Sequence, residues 1–115
     1  MTIYDLNQDD DFDKLMHDSE NIYAIVDFYA PWCGPCKKLT PALEKLSEKY
    51  TDLSFFKVNV DEHDEIADKY GITSLPTFLV FATKNCEIEE CVQGANEEEL
   101  EKLCKKYEWL HILSI

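Results

Sequence analysis

Residues 22–37 read Ile-Tyr-Ala-Ile-Val-Asp-Phe-Tyr-Ala-Pro-Trp-Cys-Gly-Pro-Cys-Lys, and this stretch decides the fold. Its first half, Ile22 to Tyr29, is apolar on both faces, the pattern of a central strand covered by helices on either side. Its second half opens a helix at Cys33 that should run to about Tyr50. Cys36, Leu39, Leu43, Leu46 and Tyr50 fall at helical spacing on one stripe. Pro41 lies inside that helix and should kink it, because proline supplies no N–H to the ladder. Two thiols, Cys33 and Cys36, therefore stand where a buried strand meets the start of a helix. A helix amino terminus carries unsatisfied N–H groups and roughly +0.5 charge, which favours a thiolate on Cys33. Cys36, one turn further in, should be the more shielded. Gly34 lets the backbone turn closely, and Pro35 suits an early helical position.

Asp27 is the one charged residue in the apolar run, flanked by Val26 and Phe28. Burial raises a carboxyl pKa, so Asp27 should exchange a proton near neutral pH and is a candidate acceptor for the Cys36 proton. The alternative is a structural ion pair with Lys57, from the strand Phe55-Phe56-Lys57-Val58. Both roles are compatible.

Working outward, Ile3 to Leu6 is a weak first strand, and a helix around Asp10 to Ser19 turns Phe12, Leu15 and Met16 inward. Leu53 to Val60 is a third strand, and Glu62 to Tyr70 a short helix ended by Gly71. Thr77 to Phe81 and Ile88 to Val92 form a hairpin, followed after Gly94 by a helix from about Asn96. Leu100, Leu103, Cys104 and Tyr107 are that helix's buried stripe. The order βαβαβ then ββα predicts one α/β domain. It has a central mixed five-stranded sheet, three parallel strands then an antiparallel hairpin, flanked by four helices. Residues 1–107 make the domain and residues 108–115 an apolar C-terminal tail.

Composition narrows the function. The 115 residues suit one domain with one core. Net charge is −13 and every basic residue is lysine, so phosphate backbones and anionic membrane surfaces are poor partners. The acidic segments 9–11 and 97–99 read best as helix starts complementing the helix dipole. No apolar run approaches a membrane span, and the first residues lack the basic start of a secretory signal, so the cytoplasm is the expected location. Five cysteines do not complete a disulfide framework and point to redox chemistry or metal. A zinc site built from Cys33-x2-Cys36 and Cys86-x4-Cys91 fails on reach, since five strand residues at about 3.3 Å each separate the latter pair by roughly 16 Å. No metal is expected. Cys86 reads as a surface or turn thiol, Cys91 as a strand residue and Cys104 as a core thiol. His17, His63 and His111 have no motif context and default to surface or packing roles.

The segments V-D-F-Y-A-P-W-C-G-P-C-K, L-T-P-A-L, K-V-N-V-D-E, Y-G-I-T-S-L-P-T-F and Q-G-A occur in one order along the chain. Together they resemble the thioredoxin family over residues 1–107. The resemblance implies the thioredoxin fold and a protein disulfide reductase whose Cys33 attacks, whose Cys36 resolves, and which cycles through a Cys33–Cys36 disulfide. It implies that Asp27 and Lys57 are the family's buried acid and its lysine neighbour, and that Leu75–Pro76 is a cis step facing the dithiol. Trp32, Gly34, Pro35, Leu75, Pro76, Gly94 and Ala95 would line the docking surface. A thioredoxin reductase and oxidised clients of the peroxiredoxin type are the implied partners, with no cofactor of the protein's own, no nucleic acid, no membrane, and a monomeric state. Two rivals stand beside it: a reductant specialised for one substrate, and a non-catalytic interaction module on the same fold.

Three features depart from the family pattern. Tyr29 stands where many members have Trp, the hairpin from Phe81 to Glu87 is two residues longer than is common in the family and lacks its turn glycine, and the chain continues past residue 107. If the chemistry rests on Cys33 and Cys36 alone, replacing Cys86, Cys91 and Cys104 together by Ala leaves turnover of a small disulfide substrate nearly unchanged. Loss of activity with the fold intact would reveal a second redox centre.

Overall fold

The computed structural model describes residues 2–94 and 96–115. Nine elements follow in the order β1 (Ile3–Asp5), α1 (Phe12–His17), β2 (Tyr23–Tyr29), α2 (Gly34–Lys49), β3 (Ser54–Asn59), α3 (Asp64–Lys69), β4 (Thr77–Ala82), β5 (Glu87–Gln93) and α4 (Glu97–Ser114). The strands lie in the order β1-β3-β2-β4-β5, with β1, β3 and β2 parallel and β4 and β5 antiparallel to their neighbours. This is the mixed five-stranded sheet that the alternation of elements predicts.

β2 is apolar on both faces because it is central and each face has a helical layer over it. Ile25 packs with Phe55, Phe78 and Val80 under Leu43 and Leu46 of α2 and Leu100, Leu103 and Tyr107 of α4. Ala24, Val26 and Phe28 point the other way, into a cluster holding Phe12 and Met16 of α1, with Ile66 of α3 packed against it. Alternation along the strand then puts Asp27 and Tyr29 on the Ile25 side, the side that α2 covers. Register sets Asp27 beside Lys57 of β3, and Lys57 beside Asp5 of β1.

The helix ends follow local chemistry. Asp11 caps α1, its carboxylate accepting from the Lys14 N–H at 3.2 Å. Asn96 caps α4 in the same way, accepting from the Glu99 N–H at 2.8 Å, and Glu97, Glu98 and Glu99 fill the acidic first turn. Gly71 closes α3 with φ +67, a left-handed conformation that glycine adopts without steric cost. In the β4–β5 turn Cys86 takes that conformation instead, at φ 54, and the strand register shifts between Val80 and Phe81. The missing turn glycine is thus replaced by a strained cysteine. Its thiol donates toward Asp13 and contacts the Tyr70 hydroxyl, each at 3.5 Å.

Residues 108–114 continue α4. Leu110 packs against the cluster under α2 and α4, while Trp109, Ile112 and Leu113 stay exposed. Leu100 sits at the centre of that cluster and is fully buried. Leu100→Ala should lower unfolding stability by about 3 kcal/mol, read as a lower urea midpoint at unchanged slope. An unchanged midpoint would place the core elsewhere.

Candidate active site

The chain leaves β2 at Tyr29, turns through Ala30, Pro31 and Trp32, and enters α2 with Cys33 as the capping residue. The Cys33 N–H donates to the Ala30 carbonyl at 3.1 Å, closing the turn. Cys33 has extended backbone, and its sulfur accepts from the Cys36 N–H at 3.2 Å, the place a serine or aspartate oxygen takes in an ordinary N-cap. Pro35 falls in the first turn, where no N–H is required. A Cβ on Gly34 would meet nothing within 4 Å and its φ is not positive, so the turn does not demand a glycine, contrary to the sequence reading. What Gly34 contributes is open space beside the thiols. Cys33 and Cys36 are joined as a disulfide, with Cα atoms 5.3 Å apart.

The sequence suggests an exposed Cys33 and a shielded Cys36. In the disulfide each is only 5% exposed, because both pack with Ala30 against Tyr29, Val60 and Leu75. Position in the surface relief separates them instead. An open groove of about 490 Å³ is lined by Trp32, Cys33, Gly34 and Pro35 on one side and Val60, Ile72, Thr73, Ser74 and Leu75 on the other. Cys36 does not line it.

Trp32 is 70% exposed, so it is no core tryptophan. Its indole N–H donates to the Asp61 carboxylate at 3.0 Å, which holds the ring at the groove edge. The Asp61 N–H in turn donates to the Asn59 side chain at 2.9 Å. Leu75–Pro76 is cis, and the Gly94 N–H donates to the Pro76 carbonyl at 2.9 Å. Gly94 is thereby drawn beside the cis step, and neither Pro76 nor Gly94 lines the groove. Ala95 lies outside the described residues. Asp61 and the groove residues Val60, Ile72, Thr73 and Ser74 were not among the sequence candidates. The Val-Asn-Val-Asp run at 58–61 was the available signal for Asp61.

Asp27 is 4% exposed, and its Oδ1 has no hydrogen-bond partner. Burial lifts its pKa from the ordinary carboxylate range to about 7; Lys57 opposes that shift and Asp5 adds to it. Among the described residues Lys57 does not pair with Asp27. Its ammonium stands over the Tyr29 ring, 4.3 Å from the centroid. The Tyr29 hydroxyl donates to both Asp5 oxygens at 3.0 and 2.9 Å. The expected direct Asp27–Lys57 ion pair is thus absent among the described residues, although the two are register neighbours and Lys57 still acts on the Asp27 carboxyl.

The remaining thiols sit apart from this arrangement. Cys86 is in the β4–β5 turn, Cys91 is exposed on the edge strand β5, and Cys104 is buried under α4, where burial pushes its thiol up to about 12. Among the described residues no group of three His, Cys, Asp or Glu side chains is arranged to hold a metal ion, and no helix is long and apolar enough to cross a membrane.

Comparison with known proteins agrees with this geometry. The family model described as Thioredoxin matches residues 4–106. Thioredoxin 1 of Plasmodium falciparum is 45% identical over 97 residues, covering 84% of this chain and 89% of that protein. The crystal structure of a reduced Schistosoma mansoni thioredoxin pre-protein superposes with a TM-score of 0.83 at 40% identity, covering 92% of this chain and 98% of that one. A chain from a yeast structure, described as the basis of thiol resolution in mitochondrial 1-Cys peroxiredoxin via glutathione/thioredoxin systems, superposes with a TM-score of 0.78. It is 37% identical and covers 91% of this chain and 95% of that one.

The Asp27 shift has a sign that can be measured. An unfolded carboxyl releases its proton near pH 4, whereas the folded one holds it to about 7. The folded state binds the extra proton across that window, so Asp27 makes the oxidised protein lose stability as pH rises from about 4 to about 7. Asp27→Ala should remove this slope, so that the variant gains on its parent by about 4 kcal/mol between pH 4 and pH 8. A stability difference constant across the range, in urea titrations at each pH, would contradict the raised pKa.

Proposed function

The chain belongs to the thioredoxin family and is a protein disulfide reductase, and from that premise we propose a role for each residue of the groove. Cys33 is the attacking thiol and Cys36 the resolving one. The observation that carries this is the capping geometry: the Cys33 sulfur accepts from the Cys36 N–H at the start of α2 and faces the groove, whereas Cys36 does not. A helix amino terminus favours the anion, and the thiolate is the nucleophile. In thioredoxins the attacking thiol is known to titrate at about 7, against about 8.5 for a free cysteine, a figure that belongs to the family rather than to this geometry.

The Cys33 thiolate attacks one sulfur of a client disulfide, the client S–S bond breaks, and one client thiolate leaves. The mixed disulfide is then attacked by Cys36 at the Cys33 sulfur. Asp27 takes the Cys36 proton, and its pKa of about 7 makes it both able to accept that proton and able to return it. The second client thiolate leaves, the client has gained two electrons and the Cys33–Cys36 disulfide has formed. Lys57 is the charge that keeps ionised Asp27 accessible near neutral pH. Trp32, Gly34, Pro35, Leu75, Pro76, Gly94 and Ala95 form the client-docking surface, with the backbone at Leu75 pairing with an extended client segment.

The family implies exchange with a reductase and with disulfide-bearing clients. The finer reading is a flavin-dependent thioredoxin reductase drawing on NADPH, clients of the peroxiredoxin type, and a monomer acting in the cytoplasm. Reduction of insulin coupled to NADPH and such a reductase tests the activity.

The two thiols should fail differently. Cys36→Ser keeps the nucleophile and removes the resolving thiol, so insulin incubated with the reduced variant should stay covalently attached through Cys33, as a band on non-reducing electrophoresis that dithiothreitol abolishes. Cys33→Ser should trap nothing. Trapping by Cys33→Ser alone would reverse the roles.

A further inference from the structure

Lys57 lies between two carboxylates in one lateral row of the sheet, Asp5 on β1 and Asp27 on β2, yet pairs with neither within ion-pair distance. Its ammonium is on the face of the Tyr29 ring, 4.3 Å from the centroid. That ring is held from its far end, where the hydroxyl donates to both oxygens of Asp5. Tyr29 shares its side of β2 with Asp27, two residues away. We infer that Tyr29, anchored on Asp5, is a positioning residue that holds the Lys57 ammonium off the Asp27 carboxyl and so sets the pH at which Asp27 takes a proton. The inference rests on the reading of Asp27 as the acceptor for Cys36.

A lysine free to close on a buried carboxylate would form a direct pair and drag the acid back toward the ordinary carboxylate range, where it stays ionised but is a poor base at neutral pH. A lysine taken away altogether would leave the carboxyl to burial alone and hold its proton too tightly. A cation resting on an aromatic face is an intermediate distance solution, since the ring attracts the ammonium without neutralising it. The titratable groups facing this site are few. β1 gives Asp5, β3 gives Lys57 and β2 gives Tyr29 itself, while Cys33 and Cys36 at the start of α2 carry no proton as a disulfide. From β4 the residue opposite Asp27 is the apolar Phe78. Glu44 and Glu48 of α2 share with Asp5 and Lys57 a cavity of about 210 Å³, and Glu62 acts on Tyr29. Of these charges, Lys57 and Asp5 are the two that act on the Asp27 carboxyl.

Carboxyl carbon NMR of Asp27 in the oxidised full chain reads the site directly, and the pH profile of insulin reduction reads its use. Tyr29→Leu removes the ring face and frees Lys57, so the Asp27 midpoint should fall by about half a pH unit. Tyr29→Phe keeps the ring and should move the midpoint less, in the same direction. In a Lys57→Met background the midpoint should rise, and adding Tyr29→Leu should no longer move it. Asp5→Asn removes a nearby negative charge but keeps an oxygen that accepts from the Tyr29 hydroxyl, whereas Asp5→Ala removes the charge and the anchor together, so the midpoint should fall further in Asp5→Ala than in Asp5→Asn. An unmoved midpoint in Tyr29→Leu, or a shift that persists with Lys57→Met, overturns the positioning role. If Tyr29→Leu does not fold, equal midpoints in Asp5→Ala and Asp5→Asn overturn it. A pH profile that is the same in Asp27→Ala as in its parent would instead overturn the acceptor reading, whatever the NMR midpoints do.

Discussion

Burial of β2 between two helical layers constrains the site more than any single contact, because a strand with both faces covered can end in only one direction relative to the helix that follows. Ile25 is pinned under α2 and α4, Val26 and Phe28 under α1 and α3, and the chain emerges at Tyr29 with its orientation already set. The turn from Ala30 to Cys33 then delivers the capping sulfur to the start of α2. Asp27 is committed by the same alternation to the α2 side, in a place that no water-facing residue of the strand could share. The dithiol and its buried acid are two consequences of one packed strand.

Electrostatics at this junction is a balance of opposed terms. The helix start favours negative charge on Cys33, while burial disfavours it on Asp27. A midpoint of about 7 leaves both states of Asp27 populated near neutral pH. The contrast with Cys104 is instructive. It is buried within α4 rather than at a helix start, and burial, then Glu101 and Glu108, push its thiol up to about 12.

Much of this was legible in the sequence because it depends on local rules. The two-faced apolar run from Ile22 to Tyr29, the helical stripe from Cys36 to Tyr50 and the Asn96 cap each follow from period or side-chain chemistry, and the strand and helix order follows from them. The cis step at Leu75–Pro76 came only through the family resemblance, since X–Pro geometry has no local signature that separates the isomers. What escaped depends on where long side chains end. Lys57 was placed beside Asp27 by strand register, but its four-carbon stem carries the ammonium to Tyr29, and neither the Tyr29–Asp5 bond nor the Trp32–Asp61 bond has a spacing that periodicity could find. The shielding of Cys33 escaped for a similar reason, because Val60 and Leu75 come from distant segments.

The proposed mechanism requires the two thiols to be chemically unequal although equally buried in the disulfide. Alkylation of the reduced protein with limiting iodoacetamide across pH 5 to 9, with peptide mass mapping to count the exposed Cys91 separately, measures that inequality directly. Cys33 should be modified first, with a rate midpoint below the ordinary value of about 8.5, while Cys36 stays unmodified until the protein unfolds. Modification of Cys36 as fast as Cys33, or a Cys33 midpoint at or above that of a free thiol, would contradict the mechanism.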